Sequence, residues 1–297
     1  MSLKTKMQGS KEMKVNIYTK LPDKEKQELF ELVQICNQTD GGCRLPYLDN
    51  NYNADPTMPA FFLAEMDGQA VGFLSVYADE PGEAEVSLYV LPAYRRQGIA
   101  NQLLKAFSKM ADEYGLSEIE YVAELAFLAA HPAFAQRFSY LADEAEIWLT
   151  QAAGSFAIEE REGVEVLLGS LDLAEEIAAF QSRVFETPLD VALKYAREAV
   201  SSASSLLYIL KKDGRLVASV SVDTDFGTNY FFGLAVAQDF QGQGLGSHLL
   251  LASMQDLAER NGQEFQIVVE KQNTGALKLY KKLGFTEKTE VVYLTEK

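Results

Sequence analysis

From Val268 to Phe285 the sequence runs VVEKQNTGALKLYKKLGF. Tyr280 carries a phenol. A phenol of pKa about 10 stays protonated at neutral pH and can donate to negative charge that develops beside it. Glu270, at the end of the apolar run, is a carboxylate that can take a proton. Upstream stands LAVAQDFQGQGLGSHLLLA, Leu234 to Ala252. Gly242, Gly244 and Gly246 allow a tight turn and a close approach of backbone to a ligand. A helix that begins inside this loop has unpartnered N–H groups and the positive end of its dipole at the start, so the loop suits phosphate. No Lys or Arg lies between Gln238 and Ser247, so an anion here would rest on backbone N–H groups and the dipole. The glycines spell neither G-x-G-x-x-G nor G-x-x-x-x-G-K-[ST], which makes dinucleotide and nucleoside-triphosphate loops poor matches.

These residues need particular elements to hold them. An apolar strand ending at Val236 must deliver the loop, and the helix SHLLLASMQDLAER must follow it. Asn273 is placed to cap a second helix, which carries Ala276, Leu279 and Tyr280 and stops at Gly284. Ala276 and Tyr280 are four residues apart and share a face of that helix.

The strand, loop and helix recur. LYVLPAYRRQGIANQLLKA spans Leu88 to Ala106, and Gly98 precedes Gly244 by 146 residues. Asp67-Gly68 precedes Asp213-Gly214 by the same 146. Each Asp-Gly pair sits between alternating apolar runs, a strong hairpin signal. The repeat predicts two similar domains, 1–150 and 151–297, joined by a linker at Gln151 to Phe156. Each half is expected to open with a strand (VNIYTKL; FAIEEREGVEVLL) and continue through helix. The Asp-Gly hairpin, a third strand, the glycine loop and its helix come next. A further strand, a short helix and a closing strand (EAEIWLT; TEVVYLT) complete each half. Such an order is α/β or α+β.

Together, LAVAQDFQGQGLGSHLL and NTGALKLYKKLGF resemble the two signature motifs of the GNAT N-acetyltransferase superfamily. Gln241-x-x-Gly244-x-Gly246 is similar to its pyrophosphate loop. Asn273, Ala276, Tyr280 and Gly284-Phe285 are similar to its second motif. The resemblance covers most of the second half and extends to the first through the offset. It implies tandem domains, each a mixed, mostly antiparallel sheet flanked by helices, and an acyl-CoA ligand such as acetyl-CoA. The pantetheine arm would lie along Leu234, Ala235 and Val236, with the sheet splayed beside that strand. The pyrophosphate would rest on Gln241, Gly242, Gln243, Gly244, Leu245, Gly246 and Ser247. Asn273, Ala276 and Tyr280 would complete the site.

The resemblance also implies direct attack of an amine on the thioester, the acceptor being a small amine or a peptide N-terminus. A strand N–H near Val236 would stabilise the oxyanion, and Tyr280 would donate to the departing thiolate. Many relatives place a Glu on the strand before the loop, but NYFFGLAV has no carboxylate. Removing the amine proton falls to Glu270, Asp223, Asp225 or a water held by backbone. The alternatives are acylation of a thiol or hydroxyl, and a non-catalytic acyl-CoA-binding or regulatory protein.

The offset also distinguishes the copies. Asn273 falls on Phe127, Tyr280 on Phe134 and Gly284 on Phe138. Phe134 has no hydroxyl to donate, and Pro132 would interrupt or restart its helix. Arg95-x-x-Gly98-x-Ala100 keeps the loop pattern, with Arg95 and Arg96 able to pair phosphate, and Glu85 stands on the preceding strand. The first domain is expected to be degenerate and the second to carry the chemistry.

Composition sets the remaining bounds. Over 297 residues, 47% hydrophobic content is enough for buried cores. Net charge is −16. The first 150 residues hold 13 Lys and Arg against 22 Asp and Glu, and the rest 14 against 21, so neither half is a basic arm. Nucleic-acid and membrane-surface partners are not expected. Two cysteines, Cys36 and Cys43, and two histidines, His131 and His248, argue against a disulfide scaffold and a metal site. The N-terminal MSLKTKMQGSKEMKVNIYTK has no apolar run of signal-peptide length, and no segment approaches the about 20 apolar residues of a membrane helix. The expectation is a cytoplasmic enzyme.

Overall fold

The computed structural model describes residues 13–51, 53–224 and 227–297. The chain divides into two compact units: one runs through Ala145 and takes in Thr289–Lys297, and the other is Glu146–Lys288.

In the first unit the order is β1 (Met13–Tyr18), α1 (Asp23–Asp40), β2 (Phe61–Met66), β3 (Gln69–Tyr77), β4 (Glu83–Val90), α2 (Ile99–Tyr114) and β5 (Glu118–Glu124). Short elements follow: α3 (Leu125–Ala130), α4 (Pro132–Ala135) and β6 (Phe138–Ser139). β1 to β4 pair antiparallel, whereas β4 and β5 run parallel because α2 crosses between them. α2 buries Ile99, Leu103 and Phe107 against the sheet. Its helical spacing of apolar residues provides that face. The chain breaks at His131 (φ −126°, ψ 60°), and Pro132 restarts it as the first residue of α4.

The second unit contains β7 (Glu146–Gln151), β8 (Val164–Leu168), α5 (Ala174–Val184), α6 (Leu189–Ser201), β9 (Ser205–Lys212), β10 (Arg215–Asp223) and β11 (Thr228–Val236). It continues with α7 (Leu245–Arg260), β12 (Glu264–Glu270) and α8 (Thr274–Lys282). The offset recurs in the elements, residue for residue, for β3 and β10, for α2 and α7, and for β5 and β12. Both Asp-Gly hairpins form. Asp67 and Gly68 have φ of 54° and 78°, and Asp213 and Gly214 have 50° and 77°. Both central positions are left-handed, as a two-residue turn between twisted strands requires. The strand expected from Phe156 begins only at Val164, because the polar run EEREG before it has no apolar face to bury. Gln151, read as linker, ends β7.

The closing strands change places. β7 pairs along its length with β12, from Phe265↔Gln151 to Glu270↔Glu146. β13 (Thr286–Glu296) pairs with β5 from Val291↔Glu124 to Leu294↔Tyr121. The repeat predicts that each half closes its own sheet, yet the unit boundaries fall after Ala145 and Lys288. Apolar alternation shows that a strand forms and which side faces inward, but it does not name the partner. Among the described residues no helix is long and apolar enough to cross a membrane.

Candidate active site

β11 is gripped on one side and released on the other. Against β10, Ala235 pairs with Ser219 and Phe232 with Ser221, so β11 carries one extra residue between the two pairs. Gly233 lies in this bulge with φ 61°. On the other side, parallel pairing with β12 runs from Thr228↔Glu264 to Phe231↔Ile267 and ends there. The sheet is split beside Phe232–Val236, as the family resemblance implies.

The loop leaves the strand at this split. Gly242 and Gly244 have φ of 74° and 75°, and Gly244 is the N-terminal boundary of α7. A Cβ on Gly246 would lie 3.2 Å from Val236 Cγ2, so the helix packs closely on the strand end. Gln241 turns back, and its Nε2 donates to the Val236 carbonyl at 3.1 Å, pinning the loop. Arg161, 82 residues upstream of Gln243, reaches the same place and is exposed. Its Nη1 donates to the Gln243 carbonyl at 2.9 Å, and its Nη2 lies 3.1 Å from where a Gly244 Cβ would be. Arg161 makes no ion pair with a carboxylate among the described residues. A guanidinium beside the positive end of a helix is an arrangement that an anion would relieve. Burial, and then Arg161, hold the His248 imidazole below its ordinary range.

The second motif is built as the sequence suggests. Asn273 Oδ1 accepts the Ala276 N–H at 3.1 Å and caps α8. Gly284 ends it at φ 101°. Tyr280 is 6% exposed and meets Phe285 edge-to-face at 6.2 Å. Burial pushes its phenol up to about 12. Leu245, Tyr280 and Phe285 share one buried cluster, with Leu234, Val236 and Ala276 packed against it. Ala235 faces the other way, into the core beneath α5 and α6. Glu270 is exposed at the end of β12, just past the buried Val269. Asp223 ends β10 directly across from Tyr230. Asp225 lies outside the described residues.

The first unit has the same split with its opening bridged. Pairing of β4 with β5 ends at Val86↔Tyr121, while the register of β4 on β3 is unbroken, with no bulge. Glu124, 8% exposed, accepts the Cys43 and Arg44 N–H groups at 3.0 Å. Arg44 Nη1 donates to Ser87 Oγ on β4 at 2.7 Å. A Cβ on Gly42 would stand 2.5 Å from Glu124 Oε1, so a larger residue there would have to displace the carboxylate.

Arg95 corrects the expectation that it pairs phosphate. Its Nε donates to the Val90 carbonyl at 3.0 Å, the contact that Gln241 makes to Val236. Its Nη1 and Nη2 donate to Asp40 at 2.7 and 2.5 Å. His131 Nε2 adds a contact of 3.3 Å to Asp40. Burial alone would raise the Asp40 carboxyl, but Arg95 and His131 outweigh it and hold the group below its ordinary range. Phe127, Phe134 and Phe138 stand where the second half has its asparagine, tyrosine and glycine. Their rings pack together at 5.4 and 4.8 Å.

Known proteins share this plan. A mycothiol acetyltransferase of Clavibacter sepedonicus is 29% identical over 260 residues, covering 77% of this chain and 78% of its own. Another, from Saccharomonospora viridis, is 30% identical over 256 residues, covering 77% and 79%. Among solved structures, a GCN5-related N-acetyltransferase from Sphaerobacter thermophilus has the same fold, with a TM-score of 0.68 at 17% identity over 96% of this chain and 95% of that one. A tandem GNAT protein from the clavulanic acid biosynthesis pathway gives 0.67 at 16% identity over 96% and 98%. The model of the acetyltransferase (GNAT) family matches twice, at residues 26–140 and 171–285. With each half matched in turn, the chain belongs to the acetyltransferase (GNAT) family.

Proposed function

We propose that the second unit binds acetyl-CoA, or another acyl-CoA, and transfers the acyl group to an amine. The observation that carries this reading is the split between β11 and β12 opening beside a pinned glycine loop. On the split side the Val236 N–H and the backbone of Leu234 are left to pair with an amide-bearing arm lying along Leu234, Ala235 and Val236. The N–H groups from Gln241 to Ser247, joined by the Arg161 guanidinium, hold a pyrophosphate. The acyl thioester supplies an activated carbonyl. A strand N–H near Val236 meets the oxyanion that develops on it. Tyr280 donates to the sulfur as charge gathers there. Glu270 or a water held by backbone takes the amine proton. Identity near 30% carries the family and reaction class to this chain and leaves the acceptor open.

The test is release of CoA thiol from acetyl-CoA with a panel of amines, for the wild type and Tyr280→Phe. Turnover that depends on the amine and falls in Tyr280→Phe is expected. Tight CoA binding without turnover of any amine would leave a non-catalytic acyl-CoA-binding protein in its place.

A further inference from the structure

Trp148 of β7 and Tyr230 and Phe232 of β11 form a ladder of near-parallel rings. Trp148 and Tyr230 lie 5.6 Å apart at 15°, and Tyr230 and Phe232 lie 6.0 Å apart at 17°. These are offset stacks. The intervening residues on these strands, Ile147, Leu149 and Phe231, point the other way into the core beneath α7. Neither that core nor the one beneath α5 and α6 includes the three ladder rings. Tyr230 and Phe232 are partly exposed. Phe232 is the first residue past the last β11–β12 pair, so the ladder ends where the split opens. Ser221 stands across from Phe232 and Asp223 across from Tyr230. Directly opposed residues share a face, so a hydroxyl and a carboxylate border the ladder.

We propose that this ladder is the acceptor subsite, and that the acceptor is a primary amine carried on a planar aromatic ring. This rests on the split being the acyl-CoA site. With the cofactor arm in the split and its pyrophosphate at the start of α7, the acceptor has the opposite face of the sheet to approach from. A flat ring extends the stack beyond Phe232 at the mouth of the split, which leaves its amine on the side of the thioester. The nitrogen lone pair then forms the bond to the acyl carbon, the C–S bond breaks with its electron pair leaving on sulfur, and the amine proton passes to a carboxylate or water. A saturated ring of the same bulk gains the burial but not the stacking.

The test compares 2-phenylethylamine with 2-cyclohexylethylamine at saturating acetyl-CoA. Wild type is expected to favour the phenyl compound about tenfold in kcat/KM, the scale of one to two aromatic stacks. Phe232→Leu is expected to bring the ratio near one while the melting temperature and the KM for acetyl-CoA hold. Equal use of the two amines by the wild type, or a ratio unchanged in Phe232→Leu, overturns the subsite. Turnover confined to non-aromatic amines also overturns it and leaves the acyltransferase reading standing. Failure of every amine refutes that underlying reading, and the subsite with it.

Discussion

Replacing Tyr280 by phenylalanine removes one oxygen and keeps the ring that meets Phe285 at 6.2 Å. The packing survives, so folding stability at neutral pH is expected to change by no more than about 1 kcal/mol. What is lost is the donor. Burial pushes the phenol up to about 12, whereas an alkyl thiol has a pKa of about 8.5. Full transfer of the proton to a thiolate is uphill by about 3.5 units, or about 5 kcal/mol. In the proposed reaction Tyr280 would therefore stabilise sulfur by hydrogen bonding as charge gathers. Removing one donor to developing charge in a dry site costs about 10²- to 10³-fold in kcat. A fall of about 100-fold is expected, with little change in the KM for acetyl-CoA, read by CoA thiol release at saturating amine. The same burial sets a pH dependence of stability. The folded pKa lies above the unfolded value of about 10, so this contribution is whole below pH 10 and is lost as pH rises toward 12. Its full size is about 2.7 kcal/mol. Denaturant unfolding at pH 8 and pH 11 is expected to show wild type losing more than Tyr280→Phe. A Tyr280→Phe enzyme within about fivefold of wild type refutes the donor role. Equal losses of stability in the two proteins refute burial as the source of the shift.

Arg161→Ala is expected to weaken CoA binding by about tenfold or more, the scale of a charge-assisted hydrogen bond, and the deficit should shrink at high salt. Calorimetric titration at two ionic strengths measures it, and unchanged affinity at low salt removes Arg161 from the site. Because Arg44 and Glu124 bridge the first unit's opening, equilibrium dialysis is expected to find one CoA bound per chain. Two sites of similar affinity refute the bridge as a block. Gly42→Ala places a Cβ 2.5 Å from Glu124 Oε1, so it is expected to lower stability by about 1–3 kcal/mol. An unaltered urea midpoint refutes the tight fit.

Local chemistry was legible in the sequence. Both Asp-Gly turns, the asparagine cap at Ala276 and the proline break at His131 form where residue types alone place them. Each depends on neighbours within a few positions. The rest depends on partners far along the chain. Nothing in the polar run around Arg161 signals that it reaches Gln243, because no periodic pattern ties the two. The sequence leaves Arg95 free for phosphate, whereas Asp40, 55 residues away, holds it. The exchange of β7 and β13 is hidden for a related reason. Their apolar alternation satisfies either sheet, so the repeat fixes what forms but leaves open which unit it completes.

Glu124 and Glu270 show why a repeat cannot assign chemistry by residue type. They end matching strands at the same offset. One is buried and accepts the N–H groups of Cys43 and Arg44, while the other is exposed at the end of its strand. The difference comes from the irregular chain after α1, which reaches Glu124 through Gly42, Cys43 and Arg44; α6 stands at the corresponding place in the second unit. The loops invert expectation in the same way. RRQGIA carries two cations, of which Arg95 is held by Asp40 and the Val90 carbonyl and Arg96 is exposed. QGQGLG carries none, yet Arg161 is delivered to it from outside the motif. On the proposed reading the acyl carrier therefore rests on the second copy, by its open split and by Tyr280, where the first copy has Phe134.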